Sequence, residues 1–179
     1  MIRPLAPFTA KLDDAAQLVG ASLHGASVTF TGVTHVDTDV EPGDLFIAIP
    51  GARVHGATFI DAAVKRGAVA VLTDEAGLAH CAGIPALVVT DVRTAGALVS
   101  ASLYKYPTRD LTSIGITGTN GKTTVSTLLY QIFEAVGRDT GLIGTVETRI
   151  GAEVVKSTRT TPEAPELQAL AARSEERRV

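Results

Sequence analysis

The sequence predicts an α/β protein, with an N-terminal mixed-sheet α/β domain followed by the start of a P-loop parallel-sheet domain. Three observations predict it. Short β-branched or apolar runs alternate with segments of helical periodicity, the pattern of strands covered by helices. A polar stretch carrying a proline, PTRDLT at 107–112, separates two such series. Beyond it a strand pattern runs into GITGTNGKTT (115–124) and restarts as a helix.

The elements follow in order. LDDAAQLVGA (12–21) has apolar residues at helical spacing. VTFTGVTHV (28–36) alternates and is β-branched, and DLFIAIP (44–50) is a compact apolar run between Gly43 and Pro50, so both read as strands. ATFIDAAVKRG (57–67) reads as a helix closed by Gly67, AVAVLTD (68–74) and ALVVT (86–90) as strands, and VRTAGALVSASLYKY (92–106) as a helix ended by Pro107. The boundary there gives expected domains of 1–108 and 109–179. SIGIT (113–117) is then expected as a strand. KTTVSTLLYQIFEAVG (122–137) is expected as a helix with Leu128, Leu129, Ile132, Phe133 and Val136 on its apolar side, and TGLIGT (140–145) as a strand, together the beginning of a βαβ unit.

Composition bounds the function. In 179 residues, 45% are hydrophobic, enough for a packed core. Sixteen Lys plus Arg against 19 Asp plus Glu leave a net charge of -3 without a long basic run, so neither nucleic acid nor a membrane surface is an expected partner. The single cysteine, Cys81, excludes an internal disulfide and a multi-cysteine metal site and reads as a small buried hydrophobe in a reducing compartment. No apolar stretch reaches the roughly 18 residues that span a bilayer, and a cytoplasmic location is expected. His24, His35, His55 and His80 are too scattered for a ligand cluster and read as structural or solvated.

The chemistry concentrates in the glycine-rich loop. A strand that ends in such a turn and restarts as a helix aims backbone N–H groups and the positive end of the helix dipole at one point, where phosphate is stabilised. Gly118 and Gly121 permit close approach and positive φ, Lys122 supplies a charge for β and γ phosphates, and the Thr123 hydroxyl is a candidate Mg²⁺ ligand. The general G-x-x-x-x-G-K-[ST] pattern requires glycine at 116, where this chain has Ile116 with Gly115 one step early. The alternative is a tight strand-to-helix turn whose glycines serve packing and whose lysine is solvated.

That shifted loop, TGTNGKTT (117–124), resembles the phosphate loop of the Mur ligase family. GDLFIAIPG (43–51) and HGATFIDAAVKRGAVAVLTD (55–74) look like the N-terminal domain shared by the MurE and MurF branches, which holds the UDP end of the substrate. GLIGTVETRIG (141–151) followed by TTPEAPELQAL (160–170) is similar to the MurE branch. The resemblance implies an ATP-dependent ligase of peptidoglycan precursor synthesis. In that reaction ATP phosphorylates the D-glutamate carboxylate of UDP-N-acetylmuramoyl-L-alanyl-D-glutamate, and a diamino acid, meso-diaminopimelate or lysine, attacks the acyl phosphate. It further implies Mg²⁺ as cofactor and Gly118, Thr119, Asn120, Gly121, Lys122, Thr123 and Thr124 as ATP contacts, with Lys122 catalytic and Thr123 at the metal. Val36, Thr38, Ala52, Arg53 and Val54 fall at the family's uridine contacts, and Thr160 and Thr161 at its paired threonines on the muramoyl peptide. For the last two, helix capping ahead of Pro162 is an alternative.

The resemblance runs to about Leu170, where AARSEERRV (171–179) replaces the family's continuation, and the charged end RSEERRV (173–179) reads as the solvated last turn of a helix or as the end of a frameshifted or truncated gene product. An acidic metal ligand, a carbamylated lysine and a C-terminal amino-acid-binding domain have no counterpart in these residues. The expectation is therefore an incomplete, inactive fragment whose second half is poorly stable alone. A non-catalytic nucleotide-binding remnant, a MurF-like ligase and an unrelated P-loop protein are the competing readings.

Overall fold

Uninterrupted runs of Val, Leu, Ile and Ala bury every side chain only in a strand covered on both faces, and such strands pair in parallel. In the computed structural model, which describes residues 3–151, 153–156 and 161–176, the first half follows that rule. The chain divides into two compact units, residues 7–106 and residues 107–176 together with 3–6.

In the first unit β1 (Ala10–Lys11) leads into α1 (Leu12–Val19), followed by β2 (Ser22–His24), β3 (Thr29–Phe30), β4 (Gly32–Thr34) and β5 (Asp44–Ile47). A 3-10 turn at Gly56–Phe59 opens α2 (Ile60–Lys65), and β6 (Ala70–Thr73), β7 (Ala86–Val88) and α3 (Val92–Leu103) complete the unit. The main sheet has the order β2-β7-β6-β5-β4, with β4 to β7 parallel and β2 antiparallel on the edge, while β1 and β3 form a separate antiparallel pair. Every residue of β5, β6 and β7 is buried. On one face Phe46, Val71 and Ala86 pack with Ile60 and Ala63 of α2. Toward the other, α3 comes so close at Gly96 that an added Cβ would sit 3.1 Å from the Ile47 side chain. The Asp91 carboxylate caps α3 by accepting the Thr94 N–H at 3.0 Å.

Several expectations are adjusted. The single strand over 28–36 is two, because the chain changes partners at Thr31, whose N–H donates to Gly43 O at 2.9 Å. The helix expected from residue 57 begins as a 3-10 turn. Helix α3 stops at Leu103, and Lys105 and Tyr106 take positive φ (58° and 56°) before Pro107.

The second unit contains α4 (Lys122–Ala135), β8 (Gly141–Ile143), β9 (Glu147–Ile150), β10 (Glu153–Lys156) and α5 (Ala164–Glu175). Its sheet is antiparallel, β10-β9-β8. The expected strand at 113–117 has no ladder partner among the described residues, so the parallel pairing of a βαβ unit with β8 is not made. Alternating side chains give a segment two faces, but a strand also needs a neighbour for its N–H and C=O groups. Residues 173–176 also depart from a solvated last turn. Arg173 is buried, pairs with Glu153 and donates to Glu176 at 3.3 Å, and the Glu176 carboxylate accepts the Leu5 and Ala6 N–H groups at 2.9 and 2.7 Å.

Leu72, fully buried in the middle of the parallel sheet, supports the first unit. Leu72→Ala should cost about 2–5 kcal/mol, measured as a lower urea midpoint by circular dichroism; a loss below about 0.5 kcal/mol would show that this sheet is not the core.

Candidate functional site

The phosphate-loop candidate is built by backbone. Gly121 stands at the N-cap of α4 with φ 78°, and Gly118 has φ 151°. An L side chain in the left-handed region costs about 1–2 kcal/mol, so glycine is what lets the chain turn into the helix here. No side chain caps α4, and its first turn holds no acidic residue. The leading N–H groups, which have no carbonyl four residues back, therefore keep their partial positive charge for an anion. The Lys122 ammonium folds back over the loop and donates to Gly118 O at 2.6 Å and Thr119 O at 3.4 Å. Thr119, Asn120, Thr123 and Thr124 are exposed and Lys122 is half-buried. The helix start thus brings Gly118 through Thr124 around one ammonium, with a hydroxyl from Thr123 at the second helical position.

No group of three or more His, Cys, Asp or Glu among the described residues could hold a metal ion. Thr123 offers one hard oxygen. Such a donor fits Mg²⁺ as one ligand in a shell otherwise made of phosphate oxygens and water.

The second candidate site lies at one edge of the parallel sheet. Because β4 and β5 run in the same direction in register, the residues that follow each, Val36 and Thr38 after β4 and Ala52, Arg53 and Val54 after β5, leave the sheet at its carboxyl edge. Ligands of open α/β sheets bind in the crevice outside that edge. Val36 is half-buried, its N–H donating to Thr34 Oγ1 at 3.1 Å, and Thr38 is exposed. Residues 50–55 form a closed turn, with Pro50 bridged to His55, the Gly51 N–H on Val54 O at 3.2 Å and the Gly56 N–H on Ile49 O at 3.0 Å. Gly56 permits that closure, since a Cβ there would come within 2.7 Å of the Ala48 and Ile49 backbone. Ala52, Arg53 and Val54 form the exposed tip.

Other expected residues are not gathered there. Thr160 lies outside the described residues. Thr161 is exposed, and Glu163 holds the N-cap position of α5 with Pro165 in its first turn, so helix capping by Thr161 gives way. A cleft of about 630 Å³ in the first unit is lined by Ser22, Asp74, Glu75, Thr90, Asp91 and Thr94, and by none of the five expected uridine contacts. Three carboxylates on that wall disfavour a phosphate ligand.

Sequence reasoning missed one polar pair. His55 Nδ1 accepts the Ala57 N–H at 3.0 Å, which leaves the proton on Nε2 to donate to Asp74 Oδ1 and Oδ2 at 3.1 and 3.2 Å. Asp74 also accepts the Gly77 N–H at 2.9 Å. Burial works against the charged carboxylate, but the hydrogen bonds from His55 and from the Gly77 N–H outweigh it and hold the carboxyl below its ordinary value. Cys81 is buried with its thiol pushed up by desolvation, as a small hydrophobe would be. Since the folded-state value of Asp74 is lowered, its contribution to stability is complete above the unfolded-state value near 3.9 and is lost as pH falls through the lower folded value. Asp74→Asn should therefore flatten the acid limb of stability below about pH 4, read from urea midpoints at a series of pH values; identical limbs in the two proteins would refute the pairing.

Comparison with known proteins places these features in a lineage. The model described as "Mur ligase family, catalytic domain" matches residues 29–105, and that described as "Mur ligase middle domain" matches 116–179. The second match continues past Leu170 to the last residue, so the expected loss of resemblance there is corrected. The chain is 50% identical over 177 residues to UDP-N-acetylmuramoyl-L-alanyl-D-glutamate--2,6-diaminopimelate ligase of Streptomyces coelicolor, covering 98% of this chain and 35% of the relative. It is also 50% identical over 179 residues to the protein of the same name from Streptomyces avermitilis, with 99% and 35% covered. It thus spans about a third of the length of these relatives. A solved structure of UDP-N-acetylmuramoylalanyl-D-glutamyl-2,6-diaminopimelate--D-alanyl-D-alanyl ligase from Acinetobacter baumannii matches with a TM-score of 0.54 at 25% identity, covering 74% of this chain and 29% of that one. No helix among the described residues is long and apolar enough to cross a membrane. With one domain model on the parallel-sheet unit and the other on the glycine-loop unit, the chain belongs to the Mur ligase family.

Proposed function

We propose that this chain carries the nucleotide-handling part of an ATP-dependent amide-bond ligase of the MurE type. The substrate is UDP-N-acetylmuramoyl-L-alanyl-D-glutamate, and the amino acid added is a diamino acid, meso-diaminopimelate or lysine. The observation that carries the reading is the uncapped start of α4 with the Lys122 ammonium held over the loop at Gly118 O. The names of relatives at 50% identity support the MurE branch over the MurF branch, whose structure is matched at 25%.

Making a carboxylate electrophilic requires transferring a phosphoryl group to it, and that transfer is limited by charge on the phosphate oxygens. The Gly118–Thr124 amides orient the β and γ phosphates of ATP, and Lys122 exchanges its bonds to Gly118 O and Thr119 O for phosphate oxygens. Mg²⁺, held by Thr123 and those phosphates, supplies further neutralisation when bound. The D-glutamate carboxylate takes the γ-phosphoryl group with release of ADP, and the amine of the diamino acid displaces phosphate to form the amide. Val36, Thr38 and the 52–54 tip hold the uridine end, and Thr160 and Thr161 the muramoyl peptide. This chemistry is that of a cytoplasmic pathway enzyme.

A second reading is that the chain binds nucleotides without ligating them. Release of ADP in the presence of all three substrates and Mg²⁺ would eliminate this reading.

Binding itself has a direct test. A hydrogen bond to a charged group contributes about 1.5–3 kcal/mol, so Lys122→Ala should weaken ATP binding about 10- to 100-fold in calorimetric titration. Equal affinities for the two proteins, or no ATP binding by the unaltered chain, would defeat the assignment of the loop.

A further inference from the structure

We propose that His55 and Asp74 are a positioning pair that fixes the 51–54 turn for a uridine nucleotide, acting through the backbone and not by touching the ligand. The inference rests on the reading of Ala52, Arg53 and Val54 as uridine contacts and adds to it two residues in roles that the sequence did not suggest.

The turn is tied at its base by main-chain bonds between residues 49–51 and 54–56, while its tip is exposed. What orients the closed turn on the sheet is the residue where it closes. His55 is held at both ring nitrogens, Nδ1 by the Ala57 N–H at 3.0 Å and Nε2 by the Asp74 carboxylate at 3.1 Å. Two opposed hydrogen bonds leave an imidazole one tautomer and one ring orientation. Asp74 immediately follows β6 and is itself held by the Gly77 N–H at 2.9 Å. One side-chain pair thus joins the loop after β5 to the loop after β6, and 19 residues of chain are spanned by a single contact.

The ring is also packed. An added Cβ on Gly77 would lie 3.1 Å from His55 Cε1 and 3.1 Å from the Ala57 Cβ, so the space beside the imidazole is filled by the 74–77 turn. Stability alone is a poor account of the pair, because His55 and Asp74 keep 26% and 23% of their side-chain surface in solvent, where a single polar side-chain pair contributes little. Geometry is the better account. A tip that must meet a base and ribose gains affinity when it is ordered before the ligand arrives, since the ordering entropy is not then charged to binding.

The two residues act as one unit, which a double-mutant cycle reads directly. The probe is UDP-N-acetylmuramoyl-L-alanyl-D-glutamate, titrated by calorimetry into the whole chain, with ADP binding at the 118–124 loop as an internal control. His55→Ala and Asp74→Ala should each weaken the UDP compound about 3- to 10-fold, the double variant should be no weaker than either single one, and ADP affinity should hold in all three. His55→Asn, whose Oδ1 can still accept the Ala57 N–H but which cannot reach Asp74, should behave as His55→Ala does. Amide hydrogen exchange at 51–54 should accelerate in every variant without a change in the exchange of β5 and β6, an outcome that a merely structural role would not produce. If the unaltered chain fails to bind the UDP compound, the reading of the 52–54 tip falls and takes the pair with it. If it binds and the variants bind equally well, or the two losses add, the positioning role alone is refuted.

Discussion

The constraint on which the first unit depends is the parallel register of β4, β5, β6 and β7. Gly32 pairs with Asp44, Leu45 with Ala70 and Val71 with Ala86, so successive strands start level and finish level. Parallel neighbours cannot be joined by a tight hairpin, and each crossover must return to the same starting edge. The segments that follow the strands therefore collect at the opposite edge whatever their sequences. Val36, the 50–55 turn and Asp74 are neighbours along that edge for this reason, although 38 positions separate the first from the last. A one-residue slip of β5 would move Leu45 and Ile47 to the Phe46 face and undo both the core and the edge.

Much of this unit is legible in the sequence because burial on two faces leaves an unmistakable mark. DLFI, AVLT and ALV contain almost nothing that water would stabilise, and all three are strands. Where burial is weaker the mark fades. β2 has three residues, two of them exposed, and it pairs with β7 at Leu23 and Leu87, a contact that no local periodicity can announce. The division of 28–36 into two strands is likewise a matter of partners, since Phe30 pairs with Ala10 and Val33 with Leu45. Residues 113–117 show the same limit in reverse, where alternation without a partner gives no strand.

The two candidate sites differ in legibility for a related reason. In the phosphate-loop candidate the backbone turn, the Lys122 ammonium and the Thr123 hydroxyl all lie within seven residues, so glycine φ, a helix start and a lysine four positions after Gly118 can be read from the chain directly. The turn at 50–55 could be found by resemblance, but its anchor could not. His55 looks like any scattered histidine until the sheet brings Asp74 beside it.

This contrast carries over to how each site is kept in shape. The edge turn rests on a sheet whose central strands are wholly buried, and it is closed by its own main-chain bonds and held to β6 by His55 and Asp74. The phosphate-loop candidate leads into α4, where Val125, Leu128 and Ile132, 46%, 52% and 57% exposed, form with the C-cap Val136, 67% exposed, one stripe at spacings of three and four. Among the described residues α4 packs on β8 and holds its Tyr130 ring beneath the Arg149 guanidinium of β9, 5.7 Å from the ring centroid. Its first turn is also the part that an anion would contact. Neutralising those N–H groups stabilises the helix start, and a ligand that binds only the ordered loop shifts the helix toward its folded form by mass action. On the proposed reading, nucleotide binding at the loop therefore favours the ordered start of α4, whereas the edge turn of the first unit rests on strands that are already buried.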